Sequence, residues 1–160
     1  MSRVLGVDPG KSGALAVFDD GELTFVDDMP VVDKQVSGAL LADLIDEIFH
    51  YHPDSRVAVV EVVHSMPKQG VASSFDFGRS YGVVLGVLAH ARIRVEPAQP
   101  ATWKKTMHLS SDKELSRRRA LERWPGHTET FKLKKHADRA EAALIALWWI
   151  ESQTKPKEKP

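Results

Sequence analysis

The run RVAVVEVV (56–63) most constrains how this chain can fold. Its β-branched composition is typical of a central strand that is buried on both faces of a sheet. Such a strand needs a layer of structure on each side. The charged residue in its interior, Glu61, would be costly to bury without a partner. The run therefore predicts a layered sheet and marks Glu61 as a residue that needs an explanation.

The segments around this run predict an α/β protein. Strands are expected over 3–7, 13–19 and 22–28, and the turn signals DPG and DG between them favour an antiparallel meander. Helices are predicted over 36–52, 74–91, 110–124 and 136–152, a short helix or turn over 99–107, a fifth strand over 92–97, and loops over 63–74 and 126–135. This order implies a five-stranded mixed sheet flanked by helices.

Length and composition predict one domain over residues 1–152 and a charged, disordered tail over 153–160. The sequence has no cysteine, which excludes a disulfide framework and thiolate metal sites. The lack of cysteine, together with the lack of a signal-peptide pattern in the first residues, predicts a cytoplasmic location. The longest apolar run, AALIALWWI, is shorter than the roughly 20 residues that span a bilayer, so no membrane partner is expected.

The net charge of zero conceals an uneven distribution. Residues 1–60 carry 4 Lys or Arg and 11 Asp or Glu, whereas residues 61–160 carry 18 and 11. Asymmetry of this kind predicts a polyanionic partner for the basic part, although differences between solvated faces could also produce it.

Acidic residues occupy positions that ought to face the core. Asp8 ends the first predicted strand, and Asp138 and Glu141 share one face of the last helix. Each has an ordinary explanation, because Asp favours turns and acids favour a helix N-terminus. Together with Glu61, however, they would repel one another unless a cation lay among them. Divalent cations such as Mg²⁺ take oxygen ligands, and two of them about 4 Å apart can drive phosphodiester hydrolysis.

The segments GVDPGKSGALAVF, VVEVVHSMPKQG and HADRAEAALIAL resemble the three acidic motifs of the RuvC family of Holliday junction resolvases. The resemblance is to the phage and bacterial branch, and it covers nearly the whole chain, from Arg3 to Trp149. It implies an RNase H-like fold (the retroviral integrase superfamily). It also implies a homodimer that uses Mg²⁺ or Mn²⁺, two ions in each active site, to make paired nicks across a four-way DNA junction.

The resemblance also implies which residues carry out the reaction. The positions that match the family's catalytic, metal-binding acids are Asp8, Glu61, Asp138 and Glu141. Glu141 is a departure, since the family's last acid is often Asp. A bacterial cytoplasm is the expected location, with a phage gene as one source. No small-molecule cofactor is expected.

Basic and aromatic residues supply the predicted DNA contacts, because Lys and Arg bind phosphates and aromatic rings stack on bases. The predicted DNA-binding residues are Lys68, Gln69, Phe75, Phe77, Arg79, Lys104, Lys105, Lys132, Lys134 and Lys135. One of Phe75 or Phe77 is expected to stack on a base near the junction centre. Glycines at 78, 82 and 86 predict that another backbone comes close, either the sheet or a second copy of the chain.

Other functions remain open at this stage. A nuclease of the same fold could act on an RNA–DNA hybrid, structured RNA or other branched DNA. The pattern Gly6-Val7-Asp8-x-Gly10-x-x-Gly13 also resembles a phosphate loop of the actin and sugar-kinase group. Those proteins need two RNase H-like domains, however, and this chain has room for one. A non-enzymatic junction-binding scaffold would be expected to lack the acids, and all four are present.

Overall fold

Five strands of the described residues form one mixed β-sheet. The computed structural model describes residues 2–51, 56–62, 64 and 70–154. The strands span Arg3–Asp8 (β1), Ala14–Asp19 (β2), Glu22–Asp28 (β3), Val31–Val32 (β4), Gln35–Val36 (β5), Arg56–Glu61 (β6) and Arg94–Ala98 (β7). Across the sheet they lie in the order β3-β2-β1-β6-β7, and β4 pairs with β5 in a separate short ribbon.

Strand β1 lies at the centre of the sheet and pairs differently on its two sides. It runs antiparallel to β2, which in turn runs antiparallel to β3, as the predicted meander requires. It runs parallel to β6, and β6 runs parallel to β7. Because β1 and β6 are parallel neighbours, their carboxyl ends, and therefore Asp8 and Glu61, meet at the same edge of the sheet.

Helices cover both faces of this sheet. They span Gly38–Phe49 (α1), Val71–His90 (α2), Pro100–Thr106 (α3), Lys113–Arg123 (α4), Thr128–Phe131 (α5) and Ala137–Thr154 (α6). Alternating residues of β1 point to opposite faces. Leu5 packs in a core with Ile45 of α1 and Leu88 of α2, whereas Val4 packs in a second core with Trp103 of α3 and Leu144 of α6.

Several element bounds differ from the sequence predictions. Helix α2 begins at Val71, inside the predicted loop, and the predicted loop 126–135 contains α5, whose Phe131 is completely buried. The β4–β5 ribbon was not predicted. Helix α6 continues to Thr154, so the first residues of the predicted tail are helical. Residues 155–160 of that tail lie outside the described residues.

The glycine stripe of α2 was predicted to bring another backbone close. A Cβ atom built at Gly78, Gly82 or Gly86 meets no atom of the described chain within 4 Å. The face that α2 turns to the core carries Ser80, Val84 and Leu88 instead. The prediction is therefore wrong for packing on the sheet, because the glycines lie on the opposite, open side. In the part of the chain described, no helix has both the length and the apolar character to cross a membrane.

Candidate active site

Asp8 is the buried acid at the end of the central strand. Its backbone pairs with Ala14 of β2, and only 5% of the residue is exposed. Its Oδ2 atom is buried and has no hydrogen-bond partner among the described residues. Burial raises the pKa of this carboxyl well above its ordinary value, and the neighbouring acids raise it further, against the opposing effect of Lys113. A cation bound beside Asp8 would stabilise the ionised form of this carboxyl, which burial disfavours.

Helix α6 brings two more acids to the same place. Asp138 and Glu141 lie three residues apart in its first turns, on the side that faces the end of β1. One carboxylate oxygen from each of Asp8, Asp138 and Glu141 lies within 4.8 Å of the other two. Glu141 is almost completely buried. These three side chains, called the acid cluster below, come from a strand and a helix that are more than a hundred residues apart in sequence.

Glu61 lies beside the acid cluster at the end of the neighbouring strand β6. It is partly buried and is not one of the three acids that meet within 4.8 Å. The indole N–H of the fully buried Trp103 donates a hydrogen bond to Oε1 of Glu61 at 2.9 Å. Burial and the charge of Glu141 raise the pKa of Glu61. The structure thus brings the four predicted acids to one edge of the sheet, with Glu61 at the side of the cluster.

Two lysines enter the acid cluster from α3 and α4. The Nζ atom of Lys104 lies 2.7 Å from Oε1 of Glu141, and the hydroxyl of Ser116 donates to the same oxygen at 3.1 Å. The Nζ atom of Lys113 donates to Asp138 and lies 3.8 Å from Oδ2 of Asp8 and 3.6 Å from Oε2 of Glu141. Lys104, predicted as a DNA contact, therefore lies inside the site.

Sequence reasoning missed Lys113, Ser116 and Trp103. For Lys113 the sequence holds one local signal, the N-cap residue Asp112. The Asp112 side chain accepts a hydrogen bond from the backbone N–H of Glu114, which makes Lys113 the first residue of α4. The sequence does not show that this end of α4 packs against the acids of α6.

The residues of the acid cluster fit a divalent metal ion. They offer carboxylate oxygens, which are the ligands that Mg²⁺ and similar ions prefer. The Asp8 oxygen without a hydrogen bond lies 3.8 Å from the Lys113 ammonium, which also contacts the other two acids. An ammonium group beside these acids also shows that the site accepts a cation.

Comparisons with known proteins identify the fold. No protein-family model matches the sequence, and no curated protein matches it either. A structure of Thermus thermophilus RuvC in complex with a Holliday junction substrate matches with a TM-score of 0.65 and 19% identity, over 96% of this chain and 98% of that one. The fowlpox virus Holliday junction resolvase matches with a TM-score of 0.55 and 17% identity, over 94% and 99%.

A second structure of Thermus thermophilus RuvC matches with a TM-score of 0.59 and 18% identity, over 95% of this chain and 97% of that one. The chain has the RuvC-like resolvase fold. The resemblance predicted from the three acidic motifs is confirmed at the level of the fold, as is the five-stranded mixed sheet. In this RuvC-like fold the acid cluster lies where the carboxyl end of β1 meets the start of α6.

The two phenylalanines predicted to contact DNA, Phe75 and Phe77, lie near the start of α2. Phe75 is 72% exposed. Phe77 is half-buried, and its ring lies 3.0 Å from the position that a Cβ atom at Gly10 would occupy. Arg79 is exposed and lies 3.3 Å from Asp76, which also pairs with Lys11 of the β1–β2 turn. Of the two phenylalanines, Phe75 is the more exposed.

The predicted basic contacts lie on two sides of the site. Lys105 is exposed next to Lys104, whereas Lys132, Lys134 and Lys135 are exposed on the segment that leads into α6 and Asp138. Lys132 also pairs with Glu129. Lys68 and Gln69 lie outside the described residues.

Proposed function

We propose that this chain is a metal-dependent, structure-selective endonuclease that resolves four-way DNA junctions by paired phosphodiester cleavage. The observation that carries the proposal is the convergence of Asp8, Asp138 and Glu141 at one end of a RuvC-like sheet, with Glu61 beside them. One protein with this fold is described in complex with a Holliday junction substrate. The chemistry of the acids and the substrate of that relative point to the same reaction.

The acids would hold Mg²⁺ or Mn²⁺, with two ions in each active site. Such ions, when bound, supply an activated water and stabilise the charge on the leaving oxygen of a phosphodiester. The chain's own residues keep the ligands in place. Lys104 and Ser116 fix one oxygen of Glu141, and Trp103 fixes one oxygen of Glu61. Asp8, held at a strand end by the sheet, has little freedom to move away from the cluster.

The DNA would lie across the exposed residues that surround the cluster. Phosphates are expected to contact Lys105 on one side and the lysines 132, 134 and 135 on the other, while Phe75 stacks on an unpaired base. Arg79 and Phe77 belong to the same proposed surface, and Lys68 and Gln69 stay predicted DNA contacts. Phe75 takes the stacking role rather than Phe77, because the ring of Phe77 packs against the turn at Gly10.

A homodimer would provide the two cuts that a two-fold symmetric junction requires. The open glycine face of α2 is the proposed contact between the two copies, since nothing in the described chain covers it. Replacing Gly82 with Leu should leave the fold intact, because the added side chain points into open space, but should separate the copies. Sedimentation velocity would then show a monomer for Gly82→Leu and a dimer for the wild type and for the α1 surface variant Asp43→Ala.

The function is tested by cleavage of a synthetic four-way junction beside a matched linear duplex and an RNA–DNA hybrid. Each is incubated with Mg²⁺, with Mn²⁺ and with EDTA. We expect paired nicks in the junction only, dependent on metal, abolished in Asp8→Asn and retained in Asp46→Asn, which alters an exposed acid on α1. Preferential cutting of the hybrid would overturn the junction proposal and favour a nuclease for RNA–DNA hybrids.

A further inference from the structure

The ammonium group of Lys113 occupies the middle of the acid cluster. It donates a hydrogen bond to Asp138 and lies within 4 Å of oxygens of both Asp8 and Glu141. These are the same three side chains whose oxygens come together within 4.8 Å. A single positive charge therefore stands at the position where these ligands would hold a metal ion.

The side chain of Lys113 is more exposed to solvent than that of Lys104, the other lysine of the site. The side chain of Lys104 is only 15% exposed, and its ammonium forms an ion pair with Glu141. The side chain of Lys113 is 50% exposed, and the residue begins α4. Because its stem already reaches solvent, the ammonium of Lys113 can swing outward without any change in the packed core.

The single charge of Lys113 does not satisfy the cluster. Lys104 pairs with Glu141, and even with both lysines present the buried Oδ2 of Asp8 has no hydrogen bond among the described residues. A divalent ion would bring a second positive charge and could bind that oxygen directly. The lysine and the ion cannot both occupy the space between the same oxygens.

We propose that Lys113 is a built-in counter-ion that occupies the cation site of the metal-free protein and must withdraw before a divalent ion binds. The inference rests on the proposed function in taking the acid cluster as the metal site of the nuclease. Two consequences follow. Lys113 stabilises the fold without metal, since it offsets the repulsion among the acids, and it weakens metal binding, since the ion must displace it.

The direct test is isothermal titration of the protein with Mn²⁺. Lys113→Met should bind Mn²⁺ about tenfold more tightly than the wild type, because the ion no longer displaces a charge-assisted hydrogen bond. Lys105→Met removes an exposed neighbouring lysine and should leave the affinity unchanged. In EDTA, Lys113→Met should melt at a lower temperature than the wild type, and saturating Mn²⁺ should close that gap. Equal or weaker Mn²⁺ binding by Lys113→Met would overturn the proposal.

A measurement on the wild-type protein removes any dependence on how the variant folds. Amine acetylation, read by mass spectrometry, should label Lys113 slowly in EDTA and severalfold faster with Mg²⁺, while the labelling of Lys105 stays constant. Labelling of Lys113 that is the same with and without Mg²⁺ contradicts the displacement. Neither measurement uses DNA, so a protein that passes both and cuts no junction refutes the proposed function and leaves this inference intact.

Discussion

At the scale of single residues, Trp103 shows how a side chain outside the acids can set the geometry of the site. Its indole is completely buried in the core that also contains residues of α6 and the sheet, and its N–H donates a hydrogen bond to one oxygen of Glu61. The ammonium of Lys104 lies 5.1 Å from the centre of the same ring. One residue thus contacts an acid and a base of the site at the same time.

Replacing Trp103 with Phe should impair the reaction more than the fold. The aromatic ring is largely kept, but the Glu61 carboxylate loses the hydrogen bond from the indole, so we expect the rate constant of cleavage to fall about tenfold. Junction cleavage under single-turnover conditions measures the effect. Trp124→Phe is the matched control, since Trp124 makes ring contacts with Phe18 and Phe131. Equal losses in the two variants would mean that Trp103 acts through packing alone.

Asp8 predicts how stability depends on pH when metal is absent. Its pKa in the fold is raised above the ordinary 3.8, so the folded protein binds more protons than the unfolded chain between 3.8 and the raised value. Stability in EDTA should therefore fall as pH rises through that window. Asp8→Asn should lack this part of the loss and be more stable than the wild type at neutral pH.

Urea unfolding in EDTA across pH 4 to 8 measures this difference, with Asp46→Asn as the exposed control. A pH dependence of Asp8→Asn that matches the wild type would contradict the assignment. Mn²⁺ should reduce the wild-type loss, because the ion favours the ionised carboxylate that burial disfavours.

The acids of the site could be predicted from sequence because each has a local signature. Asp8 and Glu61 interrupt or end apolar strands, and Asp138 and Glu141 repeat at helical spacing. Lys113 and Trp103 have no such signature. Their partners are set by how α3 and α4 pack against α6, which depends on contacts between residues that are far apart in the chain.

At the scale of elements, the contact between β1 and α6 is unusually close. A Cβ atom at Gly6 would lie 2.1 Å from the carbonyl oxygen of Ala142 and 2.9 Å from the Cβ of Ala146. Both partners belong to a helix whose central residues are fully buried. Glycine on the strand and alanine on the helix thus let α6 lie directly on the sheet, which brings its acids to the end of β1.

Replacing Gly6 with Ala should destabilise the protein by about 3 kcal/mol, because the carbonyl of Ala142 cannot give way without moving the helix. Gly126→Ala is the matched control. Its added methyl meets nothing of the described chain within 4 Å, and its φ lies outside the left-handed region, so the stability should stay within about 0.5 kcal/mol of the wild type. Urea unfolding of the two variants measures both changes in the free energy of unfolding. If Gly6→Ala unfolds with the same free energy as the wild type, the close packing of α6 on β1 is contradicted.

Elements with strong periodicity were predicted well and short ones were not. The meander and β6 follow from apolar strands between turn signals, and α1 from apolar residues at helical spacing. The β4–β5 ribbon pairs only two residues on each strand, and α5 is a single turn held by the buried Phe131. Elements this short owe their form to tertiary contacts, so the local sequence carries little information about them.

At the scale of the whole molecule, charge divides along the chain. The segment 1–60 is acidic, and the exposed lysines 132, 134 and 135 lie next to the acid cluster on the basic part. Acids that would otherwise repel a polyanion are therefore accompanied by lysines on the adjoining surface. The arrangement predicts that binding of DNA depends strongly on salt.

A triple replacement of Lys132, Lys134 and Lys135 by Ala should reduce the slope of log K against log salt by about 2 to 3, one phosphate contact for each lysine. Lys34→Ala removes an exposed lysine of the acidic segment and should leave the slope unchanged. Fluorescence anisotropy with a labelled junction gives both slopes. A triple variant with the wild-type slope would place the DNA elsewhere on the molecule.

Helix α6 carries two of the acids and much of one core, and this has a consequence for how the chain can evolve. Nine of its residues, from Ala137 to Leu147, are buried, and Glu141 is one of them. A change at any of these buried positions moves the helix that carries the acids as well as the core, so selection must preserve packing and chemistry at once. The exposed lysines 132, 134 and 135 carry no such double constraint, because their side chains lie outside the core. Descendants of this sequence can therefore diversify what they recognise while the reaction itself stays the same.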